Sequence, residues 1–299
     1  FTASTGTHTF SGATKTLSGN TTTSIPTVAI SGSYTNSGTV SVTTALSGAG
    51  SLTNNSTLNL GGTSSITTLS NAGTLNITGS GAISTALANF TNTGIMNLGG
   101  SGTIAGITNG IGGKVNLSSS GTITSFNNST NTSVLNISAT TVPTITTLTS
   151  TVTGNLVEYS GVAQTVKATT YSNITLSGSG AKTFPTGTTT VNGILSREGT
   201  ATVTTTGILT YGTAATIQYK GSTAQTTGTE FPATFAGSGG VIINNSNGVT
   251  LNSARSISAG ALVLLNGTLT TTTTNLLSIT FTSSLAIFSP TLFKIELLH

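Results

Sequence analysis

A short pattern of alternating residues recurs about every twenty residues in the first half of the chain. In each copy, two aliphatic side chains flank one central residue, and the copies are Val40–Val42, Leu58–Leu60, Leu75–Ile77, Met96–Leu98, Val115–Leu117 and Leu135–Ile137. Their central residues, Ser41, Asn59, Asn76, Asn97, Asn116 and Asn136, lie 18, 17, 21, 19 and 20 residues apart. A period of this length is typical of solenoids and other repeat arrays.

Two further apolar positions recur between these copies. One follows each glycine-rich turn (Leu52, Ile83, Ile104, Ile123), and the other comes a few residues later (Leu69, Leu87, Ile107, Phe126). Ile, Leu and Val alternate there with Thr, Ser and Asn, which is the pattern of short half-buried strands, and glycine at this density disfavours helices. We therefore predict an all-β protein, a parallel β-helix or β-solenoid with coils of about 17–21 residues.

One such unit is too poor in apolar side chains to fold alone. Fixing its backbone costs about 1–2 kcal/mol per residue, which a handful of aliphatic side chains does not offset. Coils stacked ~4.8 Å apart give every backbone partners above and below and place like side chains on each other. Alternation puts the central asparagines on the outer face, as solvated residues or as a hydrogen-bonded ladder. The sequence leaves both interpretations open.

The second half repeats on a longer scale. The stretches that begin at Val157 and Ile217 match at Tyr159/Tyr219, Gly161/Gly221, Gln164/Gln225 and Gly180/Gly239, about 60 residues apart. Each long repeat spans about three coils or one small sandwich, so tandem Ig-like β-sandwiches are the alternative fold for this half. The predicted divisions are a short-repeat solenoid (1–154), a long-repeat region (155–280) and an apolar C-terminal cap or assembly segment (281–299).

The chain contains few of the residue types that act in catalysis or bind metals. The sequence has no Asp and no Cys, and its acidic residues are Glu158, Glu198, Glu230 and Glu296. Calcium repeats need Asp, zinc sites need more ligands, and a glycosidase would need two of these carboxylates across a cleft. We predict no enzyme activity, no catalytic residues, no metal and no cofactor. The charged residues Glu158, Glu198, Lys167, Lys182, Arg197 and Lys220 are predicted to be solvated on outer faces.

Composition restricts the partners and the location. Charged residues are 4% of the chain and hydrophobic residues 35%, so the sequence is not of the charge-rich disordered type. The net charge of +4 comes from scattered Lys and Arg without interleaved aromatic residues, which argues against nucleic-acid binding. No run reaches the ~18 apolar residues of a membrane helix, so we expect no membrane insertion. We expect a secreted, extracellular or cell-surface protein.

Several stretches of the sequence resemble repeats of a known class of proteins. The stretches "YSNITLSGSGAKTF" (from Tyr171), "TTTVNGIL" (from Thr188) and "NSNGVTLNSARSISAGALVLLNGTLTT" (from Asn245) resemble repeats of long secreted adhesin-like surface proteins of Bacteroidetes, commonly exported by the type IX route. The resemblance extends to about Thr280. It implies a stalk, adhesin or surface fibre and carries no motif with assigned chemistry.

The predicted function is that of a structural protein, a fibre protomer that binds itself end to end through β-edges and an apolar tail. The predicted assembly residues are Phe281, Ile287, Phe288, Leu292, Phe293, Ile295, Leu297 and Leu298. The first alternative is an adhesin that binds surface glycans or other cells, with Tyr159, Tyr171, Tyr211 and Tyr219 as a candidate aromatic patch. The second is an ice-binding solenoid, suggested by threonine runs such as "TVTTTG" (from Thr202).

Overall fold

The computed structural model describes residues 3–79, 83, 90–280 and 284–287. All regular elements in these ranges are β-strands, which we number β1 to β36 in chain order, and none is a helix. The chain divides into two compact units, Phe1–Leu156 and Val157–His299. Strands stack in parallel from coil to coil in each unit, so both are β-solenoids. The solenoid prediction is confirmed, and the sandwich alternative for the second half is wrong.

Two parallel sheets form the first unit. The main sheet contains, in order, β1 (Thr7–Phe10), β3 (Thr23–Ile30), β5 (Thr39–Ser47), β7 (Thr57–Leu60), β10 (Thr74–Ile77), β12 (Ile95–Leu98), β14 (Lys114–Leu117) and β16 (Val134–Ile137). The lateral sheet contains β2 (Lys15–Leu17), β4 (Ser33–Asn36), β6 (Ser51–Asn54), β9 (Thr68–Asn71), β11 (Phe90–Asn92), β13 (Thr103–Asn109), β15 (Thr122–Asn128) and β17 (Thr144–Thr149). A short strand, β8 (Thr63–Ser64), pairs with β5 on a third side.

The core of the first unit consists of columns of like side chains. Alternation turns one aliphatic residue of each strand inward, and parallel register places it on its equivalent in the next coil. In the lateral sheet, for example, one buried column is Tyr34, Leu52, Leu69, Phe90, Ile107, Phe126 and Leu148. The recurring apolar positions predicted from the sequence therefore point inward wherever the structure describes them; Leu87 lies outside the described residues.

The second unit has a main sheet and four lateral sheets. Its main sheet contains β18 (Leu156–Tyr159), β21 (Asn173–Leu176), β24 (Ile194–Glu198), β27 (Thr216–Gly221), β30 (Gly240–Asn245), β33 (Ala261–Asn266) and β36 (Ser284–Ile287). One lateral sheet consists of β19 (Gln164–Thr165), β22 (Ala181–Phe184) and β25 (Thr202–Thr205). A second consists of β20 (Thr170–Tyr171), β23 (Thr188–Val191) and β26 (Ile208–Tyr211). A third consists of β28 (Gln225–Thr226), β31 (Val249–Thr250) and β34 (Leu269–Thr270). A fourth consists of β29 (Thr234–Phe235), β32 (Arg255–Ile257) and β35 (Leu277–Ile279).

These lateral sheets explain the long sequence repeat. Each contains three strands from three successive coils, while the main sheet continues past them. The repeat of about 60 residues is therefore a block of three coils. Buried rings fill the interior of these coils, and the side chains of Tyr159, Tyr171, Tyr219, Phe231 and Phe235 are almost inaccessible to solvent.

Glycines allow the coils to approach each other at the corners. A Cβ atom added to Gly94 would overlap the carbonyl oxygen of Gly73 in the preceding coil, and one added to Gly62 would overlap that of Thr44. Side chains are excluded there because neighbouring coils lie only ~4.8 Å apart. The glycine-rich corners of the sequence are thus a condition of stacking.

Candidate functional site

A ladder of buried asparagine side chains runs through the first unit. Its members, which we call the inner ladder, are Asn36, Asn54, Asn71, Asn92, Asn109 and Asn128, each at most 1% exposed. The Nδ2 of each donates to the Oδ1 of the next at 2.7–3.0 Å. Each lies two residues after an inward apolar side chain, so strand alternation turns it inward as well.

Each inner amide also binds the backbone at the corner between the lateral and main sheets. Asn54 Nδ2 donates to the carbonyl of Ser56 in its own coil at 3.2 Å and to that of Thr74 in the next at 2.9 Å. A buried amide is costly unless it is hydrogen-bonded, and these contacts occupy both of its donors and its oxygen. The inner ladder therefore connects coils through side chains as well as through backbone.

The inner ladder ends where the residue type at its position changes. On β2 the position next to Asn36 is held by Leu17. At the other end, the position after Asn128 is held by the buried Ser150. The Oγ of Ser150 donates to Asn155 Oδ1 at 2.9 Å, and Asn155 Nδ2 donates to the carbonyl of Asn128 at 2.6 Å. Six stacked asparagines thus form one bounded element.

A second ladder lies on the outer face of the main sheet. Its members, the outer ladder, are Asn59, Asn76, Asn97, Asn116 and Asn136, all half-buried. Here each Nδ2 donates toward the preceding coil, at 2.8 Å for the first three bonds and 3.5 Å for the last. The ladder alternative for the central asparagines is therefore correct, and its bonds run in the opposite direction to those of the inner ladder.

Two cations predicted to be solvated are in fact buried. Lys182 is inaccessible to solvent, and its register partners on β19 and β25 are the inward residues Gln164 and Val203. Its Nζ donates to Gln164 Oε1 at 3.0 Å and to backbone carbonyls, among them Gly161 at 2.5 Å. Burial lowers the pKa of Lys182 to about 8. The prediction failed because strand alternation determined the direction of this side chain despite its charge.

The second buried cation is Arg197, which is 4% exposed and pairs with the fully buried Glu230 at 3.1 Å. The same Glu230 Oε1 accepts from Tyr219 OH at 3.0 Å. Burial first, and then the charge of Glu230, raise the pKa values of Tyr211 and Tyr219 well above the usual value for tyrosine. These groups form one internal polar cluster.

The remaining charged residues of this prediction, Glu158, Glu198, Lys167 and Lys220, are partly or fully exposed. Glu198 pairs with Lys220 at 3.5 Å, and both are partly exposed. Glu158 is half-buried and accepts from Ser177 Oγ at 2.7 Å. Three carboxylates considered as catalytic candidates, Glu158, Glu198 and Glu230, are therefore bound by donors of the solenoid itself. Among the described residues, no three His, Asp or Glu side chains are grouped so that they could hold a metal ion.

The tyrosines do not form the surface patch considered for an adhesin. Tyr159 and Tyr171 are inaccessible, and their hydroxyls are hydrogen-bonded to each other at 3.2 Å. Burial raises the pKa of both. Tyr219 is equally buried, and Tyr211 packs against the core of the second unit.

Exposed apolar side chains occur along the described chain, for example Ile111 and Ile208, and also near its ends. In the first unit a cavity of 280 Å³ is lined by residues that include Phe10, Leu17, Ile25 and Val40. In the second unit Leu265, Leu276 and Ile279 are 43%, 53% and 36% exposed.

Of the predicted assembly residues, Ile287 has its backbone in β36, opposite Leu264. The others, Phe281, Phe288, Leu292, Phe293, Ile295, Leu297 and Leu298, lie outside the described residues. Within the described ranges there is no helix of the length and apolarity needed to span a membrane. No protein-family model, curated protein or solved structure matches this chain.

Proposed function

We propose that this chain is a non-enzymatic structural protein of the cell exterior, and that its copies join end to end into a surface fibre. The observation that carries the proposal is the pair of asparagine ladders. Amides that could bind a ligand are hydrogen-bonded from coil to coil instead, so the polar repeats of the sequence serve the stack itself. The location outside the cell rests on the resemblance of the repeats to secreted surface proteins.

Open apolar ends supply the contact that would lengthen the stack. Joining unlike ends is a heterologous contact, and contacts of this kind that do not close into a ring produce filaments. A coil from a second copy would fill the cavity beside Leu17 and bury its apolar lining. The apolar residues of 281–299 are the proposed partner surface.

Electron microscopy of the purified protein over a range of concentrations tests the proposal. We expect unbranched filaments, and we expect both deletion of 281–299 and the substitution Leu17→Glu to abolish them. Thr53→Glu places the same charge on the lateral outer face and should leave the filaments intact. Filaments that persist in Leu17→Glu, or wild-type protein that stays monomeric at every concentration, would refute end-to-end assembly.

A second candidate function is the binding of ice, which one observation favours. An outward column of hydroxyl side chains runs in register along the lateral sheet of the first unit, with Asn127 as its one interruption: Thr35, Thr53, Ser70, Thr91, Thr108, Asn127 and Thr149. Its spacing of ~4.8 Å follows from the coil stack. Thermal hysteresis that is lost in Thr91→Tyr and kept in Thr57→Tyr, on the main sheet, would support this function; no hysteresis in the wild type would exclude it.

A further inference from the structure

The lateral sheets of the second unit are interrupted once along the stack. Strands β25 and β26 end one pair of sheets, and β28 and β29 begin the next. We call the coils on either side the first block (157–215) and the second block (216–280). In the main sheet β24 and β27 still pair across this boundary, over Ile194–Glu198 and Thr216–Lys220. Backbone pairing between the blocks is therefore concentrated on one side of the coil.

Side chains join the blocks on the sides where the sheets are interrupted. Gln225 Nε2 donates to the carbonyls of Arg197 at 3.3 Å and Gly199 at 3.2 Å. Thr205 and Thr229 hydroxyls are 2.7 Å apart, and Tyr211 OH donates to the carbonyl of Glu230. These bonds replace part of the backbone ladder that is missing there.

The buried ion pair crosses this boundary. Arg197, from the first block, donates through Nε to Ala201 O at 2.6 Å and through Nη1 to Glu230 Oε1 at 3.1 Å and to Thr226 O. Glu230 belongs to the second block, and its Oε1 also accepts from Gly228 N at 2.9 Å. Removing one partner of a buried ion pair leaves the other charge without a counter-charge in the protein interior, which strongly destabilises the fold.

We propose that Arg197 and Glu230 form a clamp between the blocks, that the second unit opens first at this boundary, and that the clamp sets how readily it opens. With the clamp, the blocks unfold together. Without it, the interrupted sides hold only neutral hydrogen bonds, and the boundary opens while the coils within each block stay paired. The inference does not depend on the proposed function.

Hydrogen exchange on the full chain tests the clamp by comparing Glu230→Gln with Glu198→Gln. The control removes the same charge from the exposed Lys220–Glu198 pair, which crosses the same boundary at 3.5 Å with side chains that are 52% and 26% exposed. The backbone N–H groups that donate across the boundary include those of Thr216, Ser238 and Gly239, whose acceptors are the carbonyls of Gly193, Thr213 and Ala215. In Glu230→Gln we expect exchange of these amides to accelerate by about 100-fold or more, as loss of a buried partner implies. We expect little change in Glu198→Gln or in amides away from the boundary.

Two results would overturn the inference. One is acceleration spread evenly over both blocks, and the other is an effect at the boundary no larger than that of Glu198→Gln. If Glu230→Gln does not fold, Arg197→Lys gives the same readout, since it keeps the charge but offers one nitrogen in place of the fork that reaches Ala201, Thr226 and Glu230. It should accelerate exchange of the same boundary-crossing amides, by a smaller factor, and an unchanged or uniform pattern would again count against the clamp.

Discussion

Replacing Asn71 by leucine tests the inner ladder at its middle. Asn71 is 1% exposed; its Oδ1 accepts from Asn54 at 2.7 Å, and its Nδ2 donates to Asn92 Oδ1 at 2.7 Å, Ile95 O at 3.0 Å and Gly73 O at 3.2 Å. Leucine has a similar volume and makes none of these bonds. The two N–H groups of Nδ2 are shared among these three acceptors, so with the bond to Oδ1 the variant loses three hydrogen bonds. At about 1 kcal/mol for each lost bond, the free energy of unfolding should fall by about 3 kcal/mol.

Asn76→Leu in the outer ladder is the matched control. This half-buried residue has two ladder bonds of 2.8 Å, and water can replace both, so the expected loss is about 1 kcal/mol or less. Urea denaturation followed by circular dichroism measures both variants. With a slope of about 3 kcal/mol per M, Asn71→Leu should lower the midpoint by about 1 M. Equal shifts in the two variants would mean that burial of the inner ladder has no special weight.

Two further predictions concern packing and pH. Gly94→Ala should reduce the free energy of unfolding by about 2–4 kcal/mol in the same urea assay, because its Cβ would overlap the preceding coil. Gly19→Ala is the control: its Cβ would meet only Thr21 O, at 3.7 Å, and the free energy should change by less than about 0.5 kcal/mol. The free energy of unfolding should rise between about pH 8 and 10, because Lys182 keeps its proton in the unfolded chain but has lost it in the folded one. It should fall above pH 10, because tyrosines of the unfolded chain lose protons that Tyr159 and Tyr171 retain in the folded one. Thermal melts over this range should show no rise in Lys182→Met; a rise that persists would exclude Lys182 as its source.

Much of the fold follows from sequence periodicity. Aliphatic residues such as Leu58, Leu75 and Met96 recur at the coil period, and the parallel register places them in contact. These features are predictable because they depend on alternation and on repeated spacing, which one sequence contains in full. The separation of Tyr159 and Tyr219 in the sequence reveals the long repeat, but it fits either three coils or one small sandwich, and only the parallel lateral sheets decide for three coils.

The polar interior was harder to predict. An apolar residue followed at the second position by Asn recurs as Leu52–Asn54, Leu69–Asn71 and Phe90–Asn92, and strict alternation would have turned these asparagines inward. The usual exposure of Asn, Lys and Arg argued the other way. Burial is possible for Asn71 and Lys182 because partners in neighbouring coils complete their hydrogen bonds, and those partners are known only once the register is fixed.

Fibre diffraction from aligned specimens of the assembled protein tests the central claim most directly. If copies add end to end along the coil stack, the ~4.8 Å spacing between coils lies along the filament axis, and its reflection should be meridional. A reflection at this spacing on the equator would mean that the solenoids lie across the fibre. That result, or specimens that never align because no filaments form, would contradict a fibre built by extending the stack.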